Sequence, residues 1–504
     1  MSKAKRLHPV AAISNFLKQL KELIVPFIVF VVLGSKGTRW DYFYLVASIV
    51  TIIYVLIMGV LSWLRYTYRI EEGELRIEYG VFVRKKRYIP IERIQSLDLS
   101  EGILHRPFGL VKVKVETAGS SAMEGAEAEL TAITKLEAKE VEAALIAYKK
   151  TKSEENSFES EEGDSIVRPS EEIIYQISIK ELILLSITSG GVGVVLSAII
   201  AFVFQFEEII PYEKVFHQLK GLVASGFMLI TLLVFAGFLL AWIAALIGTM
   251  IKYANFTVKK LERDLIIQRG ILEKRQLTIP LNRIQAVRIS ENLIRQPLGY
   301  GTVYLESAGG SVKDIDSAKV MMIPIMKKKQ IVHYLEAILP EYKADPVIEP
   351  VPIRALKRYI LKSWMIVAPF MVTAIVINRP WGYLSLIGLP IVTLWQYINF
   401  QTAGWALSGD QLTLRYRNIS KSTVFLQKNK IQSLTLKESY FQQKKQLMTI
   451  QAVIKSGSGA SGGTVIDLEK KNGLETYRWY SSPSKNGTNL TLEEEGSVIY
   501  SEDR

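Results

Sequence analysis

The sequence contains no cysteine, which excludes a disulfide framework, a thiolate metal site and a cysteine nucleophile. It has only four histidines, His8, His105, His217 and His333, scattered along 504 residues. No acid pair, histidine cluster or activated nucleophile recurs at matching positions, so we expect no enzyme activity, no metal and no cofactor. The stretch Ser456–Gly463 is rich in glycine, but it lacks the Lys-Ser/Thr ending and the strand-to-helix setting of a phosphate-binding loop. It reads as a connection between strands. No small-residue cleavage site follows the first apolar run, which argues against a cleaved signal peptide.

Apolar sequence is abundant: 49% of residues are hydrophobic and the mean hydropathy is +0.19. The excess falls in six runs, at about residues 23–33, 42–64, 182–206, 222–251, 360–377 and 381–398. A helix needs about 20 apolar residues to cross a bilayer core, because every backbone amide must be satisfied within the span. Taken in pairs, the runs predict three transmembrane hairpins, hence six spanning helices. The amino-terminal lead carries Lys3, Lys5, Arg6, Lys18 and Lys21, whereas the middle hairpin turns through Glu207, Glu208 and Glu213. With a net charge of +13 concentrated in the soluble segments, the positive-inside rule sets both termini and all soluble segments on the cytoplasmic side.

Behind each hairpin the period changes from helical to two, as in RYTYRIEEGELRI from Arg65. The first two soluble segments align without a gap. ERIQSLDLSEGILHRPFGLVKVKVETAG, Glu92 to Gly119, matches NRIQAVRISENLIRQPLGYGTVYLESAG, Asn282 to Gly309, at a constant offset of 283 − 93 = 190. The same offset pairs Gly80 with Gly270 and Pro90 with Pro280. Helical patterns, KLEAKEVEAALIAYKK and KKKQIVHYLEAIL, close both segments. Strands capped by one helix make a small β-barrel or sandwich with a helix over one end, giving an α+β membrane protein.

The expected boundaries are a first hairpin at 8–64, a domain at 65–150, an acidic linker at 151–172 and a second hairpin at 173–251. A second domain at 252–342, a proline-rich connector at 343–353, a third hairpin at 354–398, a divergent domain at 399–481 and a disordered tail at 482–504 follow. The leads into the hairpins, such as EEIIYQISIKELILLSIT, show helical spacing and read as cytoplasmic ends of spanning helices. Small residues at Thr188–Gly193 suit a helix-packing face.

Three motifs are candidate sites. Arg93-Ile94-Gln95, Arg283-Ile284-Gln285 and Lys430-Ile431-Gln432 place a cation and a Gln on either side of an Ile that an alternating strand would bury. They could grip lipid phosphate, but a structural role at a strand end is the preferred reading. Pro107-Phe108-Gly109 and Pro297-Leu298-Gly299 are explained by turn chemistry, with proline fixing φ and glycine accepting φ > 0. The third segment has Lys444-Lys445-Gln446 instead. Basic clusters at Arg84, Lys85, Lys86, Arg87 and at Lys274, Arg275 are candidates to face anionic lipid, with Lys327–Lys329 a further cluster. Nucleic acid is not an expected partner, because the clusters lack interleaved stacking aromatics.

The order of hairpin, strand meander, (R/K)IQ(S/A), P-x-G turn, strands and terminal helix resembles the bacterial membrane-flanking pleckstrin-homology-like (PH-like) domain family over about residues 8–480. The resemblance implies a PH-like barrel without known catalysis and, from several members, protection against membrane-active bacteriocin peptides. On this reading the chain binds membrane lipids, a smaller PH-like membrane partner or itself, and acts in membrane protection. The alternative is a transport or lipid- or peptide-efflux component whose domains gate a path between the hairpins. The charged residues Lys180, Glu181, Lys220, Lys252 and Lys362 sit at span ends rather than mid-membrane, which favours anchors over a pathway.

Overall fold

The computed structural model describes residues 4–20, 41–71, 73–117, 128–143, 172–189, 227–261, 264–307, 319–377, 379, 381–456 and 459–482. The chain divides into two compact units. The first is Met1–Ala344 with Ile419–Ser422 and Lys455–Ser461; the second is Asp345–Asn418 with Thr423–Ile454 and Gly462–Arg504.

Among the described residues, each repeat contributes seven strands and a closing helix. In the first these are Lys5–Arg6, Thr67–Glu71, Glu74–Tyr79, Lys85–Pro90, Ile94–Glu101, Leu110–Thr117 and Ala128–Thr134, then a helix over 135–143. In the second they are Glu172–Gln176, Thr257–Leu261, Asp264–Arg269, Lys274–Pro280, Ile284–Glu291, Tyr300–Ser307 and Lys319–Lys327, then the helix Lys328–Ile338. The third has Glu349–Pro350, Gly404–Ser408, Gln411–Arg417, Lys421–Gln427, Ile431–Lys437, Leu447–Ser456 and Gly459–Glu469, closed by Lys470–Ser481.

The first strand of every repeat therefore lies ahead of the segment expected as a hairpin, so that segment is an insertion within the domain. Lys5 pairs with Tyr68, Tyr175 with Val258 and Glu349 with Trp405. The expected domain starts at 65, 252 and 399 lie one strand too late. The lead EEIIYQISIKEL is correspondingly not one helix. Glu172–Gln176 is extended, and the helix Ile179–Thr188 begins only where the Ser178 hydroxyl accepts from the Glu181 amide and Glu181 reaches back to the Ser178 amide. This reciprocal cap separates a strand rich in β-branched residues from the helix that follows.

The first repeat has its own core. Leu75, Ile77 and Ile89 from one layer meet Leu97, Val113, Val115 and Leu130 from the other, with Ala138 and Val141 of the closing helix over one end. Leu7, Val10 and Ala11, ahead of the hairpin, belong to the same cluster, and the Trp63 indole donates to the Leu7 carbonyl at 2.8 Å. Burying such side chains contributes about 1.5–3 kcal/mol each.

The layers, however, are not closed within one repeat. The first four strands of the first repeat form a four-stranded sheet. Its fifth to seventh strands join the first four of the second repeat in one seven-stranded sheet, through antiparallel pairing of Ile94–Glu101 with Lys274–Pro280. In the second unit, Gly404–Ser408 pairs with Gln411–Arg417, and Ile431–Lys437 begins a three-stranded sheet with the two strands that follow it.

Three helical stretches among the described residues are long and apolar enough to cross a membrane, Phe235–Tyr253, Ile353–Ile377 and Gly382–Thr402, and Ile49–Leu64 is a shorter apolar one. They turn apolar side chains outward, among them Val50, Leu240, Met365 and Val376. The apolar run at 23–33 and most of the run at 182–206 lie outside the described residues, as do most of the linker at 151–172 and the tail beyond Ser482. Among the described residues, the helix Asp41–Leu64 also covers the expected run at 42–64, so four of the six expected runs are helical and three of them meet the length and hydropathy of a span.

Candidate functional site

The (R/K)IQ signature marks one local structure three times. Ile91–Arg93, Leu281–Arg283 and Lys428–Lys430 are single 3-10 turns, and Ile94, Ile284 and Ile431 then enter the fifth strand buried. The cation ends a turn rather than sharing a strand face with the Gln. Register slips in each case between the Ile and the residue two further on, at Ile94/Ser96, Ile284/Ala286 and Ile431/Ser433. Gln285 and Gln432 thus occupy bulge positions, as does the backbone of Gln95, whose side chain lies outside the described residues. Gln285 donates to the carbonyl of Arg283 at 3.2 Å, a bond within the motif. A bulge bends the strand and needs this local satisfaction.

The P-x-G turns are likewise local. Pro107 lies in a 3-10 turn and Gly109 adopts φ +64°; Gly299 adopts φ +72°. Their carbonyls accept from Lys135 and Lys328, the residues that open the closing helices. In the third repeat Gln446 takes the same conformation, φ 53°, and accepts from Lys470. The divergent segment keeps the geometry with a residue that has a Cβ.

A position missed in the sequence lies within this turn. His105, Arg295 (105 + 190) and Gln442 (105 + 337, with 430 − 93 = 337) are all buried. Arg295 donates from Nε to Thr188 Oγ1 and from Nη1 to Thr302 Oγ1, both at 2.7 Å, and Asn292 donates to the Thr188 carbonyl at 2.9 Å. Thr188 ends the helix Ile179–Thr188, so Arg295 ties that helix to the strands of its domain. Burial lowers its pKa from the usual arginine value. Gln442 donates to Thr449 and Asp467, and burial holds the His105 imidazole below its usual pKa.

The basic clusters separate in the structure. Arg84, Lys85 and Lys86 are exposed, with Arg84 ion-paired to Glu78 and Lys86 3.9 Å from the same carboxylate; Arg87 is half-buried. Lys274 is exposed, but Arg275 is half-buried and gripped by Asp98 of the first repeat. Its Nε lies 3.2 and 3.0 Å from the two carboxylate oxygens and its Nη2 2.5 Å from one. A fork so engaged is oriented by the partner and less able to turn outward.

Arg275 in turn lines a cavity of about 180 Å³ in the second repeat, together with Arg269, Lys319, Tyr253 and Tyr304 over a floor of Ile267, Leu277 and Val320. The register explains the grouping: Arg269 faces Arg275 and Ile267 faces Leu277 across the third and fourth strands. Arg269 stacks over Tyr253 at 5.5 Å and Lys319 over Tyr304 at 4.7 Å. Burial, with a contribution from neighbouring Arg288, lowers the Lys319 pKa. Arg288 is itself held by Glu306 at 2.5 Å in a buried pair. Tyr253 is the last residue of the helix Phe227–Tyr253, so the cavity opens where an apolar span ends. Three cations with two tyrosines suit an oxyanion; among the described residues no acidic or histidine cluster could hold a metal. Arg269, Lys319 and the tyrosines escaped the sequence reading because four separate elements contribute them.

Comparison with known proteins adds three findings. The Bacterial PH domain family model matches residues 22–149, 196–339 and 356–484. The chain is 38% identical over 496 residues, 97% of its length and 100% of the relative's, to UPF0699 transmembrane protein YdbT of Bacillus subtilis (strain 168). It is 32% identical over 87 residues, 17% of its length and 50% of the relative's, to UPF0699 transmembrane protein YdbS of the same organism. No solved structure matches.

Proposed function

Because the chain belongs to the Bacterial PH domain family and is a membrane protein with three such matches, we propose that it works by binding at the membrane and not by catalysis. On this reading it is a multi-pass protein of the bacterial inner membrane with both termini cytoplasmic. Its PH-like units bind anionic lipid headgroups or protein partners, and the array protects the membrane against membrane-active bacteriocin peptides. The observation that carries the reading is the cavity of Arg269, Arg275 and Lys319 at the end of the Phe235–Tyr253 span. Near an anionic leaflet each cation contributes about 1 kcal/mol of attraction, and the tyrosines hold two of these cations in place.

The test is resistance to a panel of membrane-active peptides in cells lacking the gene and complemented at matched expression. Deletion should sensitise, wild type should restore, and Arg269→Gln with Lys319→Gln should restore only in part. Unchanged sensitivity on deletion across the panel would remove the protective role. A fully active cavity variant would remove the cavity from it.

A further inference from the structure

The fourth strand of the first repeat, Lys85–Pro90, ends its sheet. It pairs with the third strand from Glu74↔Pro90 to Tyr79↔Lys85, and among the described residues no strand lies on its other side. The equivalent strand of the second repeat is covered on that side by the preceding repeat's fifth strand, from Lys274↔Glu101 to Thr278↔Leu97. The loop before it is engaged as well, since Arg106 donates to the carbonyl of Ile271. The corresponding loop of the first repeat leaves Phe82 82% and Val83 70% exposed, with Tyr88 of the strand 53% exposed. The third repeat's own fifth strand, Ile431–Lys437, lies at the end of a three-stranded sheet.

We propose that a second copy of this chain closes the edge, with Ile431–Lys437 of one copy pairing antiparallel with Lys85–Pro90 of the next, head to tail. Carrying the internal register across by the repeat offsets (274 − 190 = 84 and 101 + 337 = 438) sets Arg84 opposite Glu438. Lys86 then faces Leu436 and Tyr88 faces Leu434, while Lys85 faces Lys437, a like-charge pair that keeps the association reversible. The cation–carboxylate match has a counterpart inside the first unit. Lys421 lies 3.0 Å from Glu291, the residue equivalent to Glu101 (101 + 190). Lysines on an edge strand often serve to prevent pairing. Here Lys274 and Arg275 occupy the same places in a strand that is paired, so cations at these positions are compatible with the ladder. Copies anchored in one bilayer share an orientation, and a head-to-tail contact between them extends into rows or closes into rings.

The absence of cysteine makes the test clean. Lys86→Cys and Leu436→Cys are introduced together in the full-length chain and oxidised in native membranes, since facing strand residues bring Cβ atoms within disulfide reach. Expected is a disulfide-linked dimer with higher multiples, absent from either single variant and several-fold weaker for the off-register pair Lys86→Cys with Thr435→Cys. Arg84→Glu should reduce the product several-fold, and Arg84→Glu with Glu438→Arg should restore it. Protease resistance establishes that each variant is folded. The proposal is overturned if folded protein gives no product between copies, if single or off-register variants cross-link equally, or if Lys86→Cys instead captures a different PH-like protein.

Discussion

The first and second repeats share a gapless sequence and the same order of strands, yet they fasten their polar positions in opposite ways. At one equivalent position the first has Asp98 and the second Arg288. Asp98 reaches outward to Arg275 of the next repeat, whereas Arg288 is satisfied within its own repeat by Glu306. At another the first has His105, buried, and the second has Arg295, bonded to the end of the helix Ile179–Thr188. The strand scaffold is fixed by apolar alternation and turn residues, so its polar positions are free to specialise. One joins neighbouring repeats and another joins a domain to the helix Ile179–Thr188.

The largest effect should follow from breaking the joint. Arg275→Ala leaves Asp98 buried without its guanidinium and should cost about 3–5 kcal/mol. It should be read as increased hydrogen exchange in Ile94–Glu101 and Lys274–Pro280, the two joined strands. Adding Asp98→Ala should recover much of that loss. A single variant as protected as wild type would show that the ion pair does not hold the joint.

Next is the tie to the helix Ile179–Thr188. Arg295→Ala removes a charged donor from Thr188 and Thr302, two bonds of about 1.5–3 kcal/mol each at most. Exchange should rise around Ile179–Thr188, and the equivalent His105→Ala should leave that helix unaffected. Equal responses would erase the distinction between the repeats.

A smaller effect separates the repeats by pH. Burial lowers the His105 pKa below its ordinary 6.5, so the unfolded state binds the proton more readily. The stabilisation is complete above pH 6.5 and is lost as pH falls through the folded-state value. His105→Gln, which installs the residue native at 442, should flatten the pH dependence of exchange in the first repeat between about pH 5 and 7. An unchanged profile would put the pH sensitivity elsewhere. Smallest is Gln446→Gly, which relieves a left-handed conformation worth about 1 kcal/mol. It should protect the third repeat slightly against unfolding in denaturant, and a loss of protection would mean that the Gln446 side chain holds the turn.

Much of this architecture is legible because it is local. The offset of 190, the period-two segments and the two P-x-G turns are carried by neighbouring residues, and the structure follows them. The first strands were hidden because Lys5–Arg6 and Glu349–Pro350 are two residues long and separated from their partners by a hairpin. Strand sharing between repeats was hidden because the pairing of Leu97 with Thr278 spans most of a repeat and leaves no periodicity. Its trace is Asp98 aligned against Arg288, the one reversal of charge between Glu92–Gly119 and Asn282–Gly309. The cavity was half-visible: Arg275 stood out as a cation, but its neighbours Arg269 and Lys319 came together only on folding.

The central claim, an oxyanion site at the end of a span, is tested most directly by mass spectrometry of the full chain released from membranes with bound lipid retained. Wild type should carry phosphate-bearing anionic lipid, and Arg269→Gln with Lys319→Gln should lose most of it while remaining folded. Equal lipid retention by the two proteins would contradict the account.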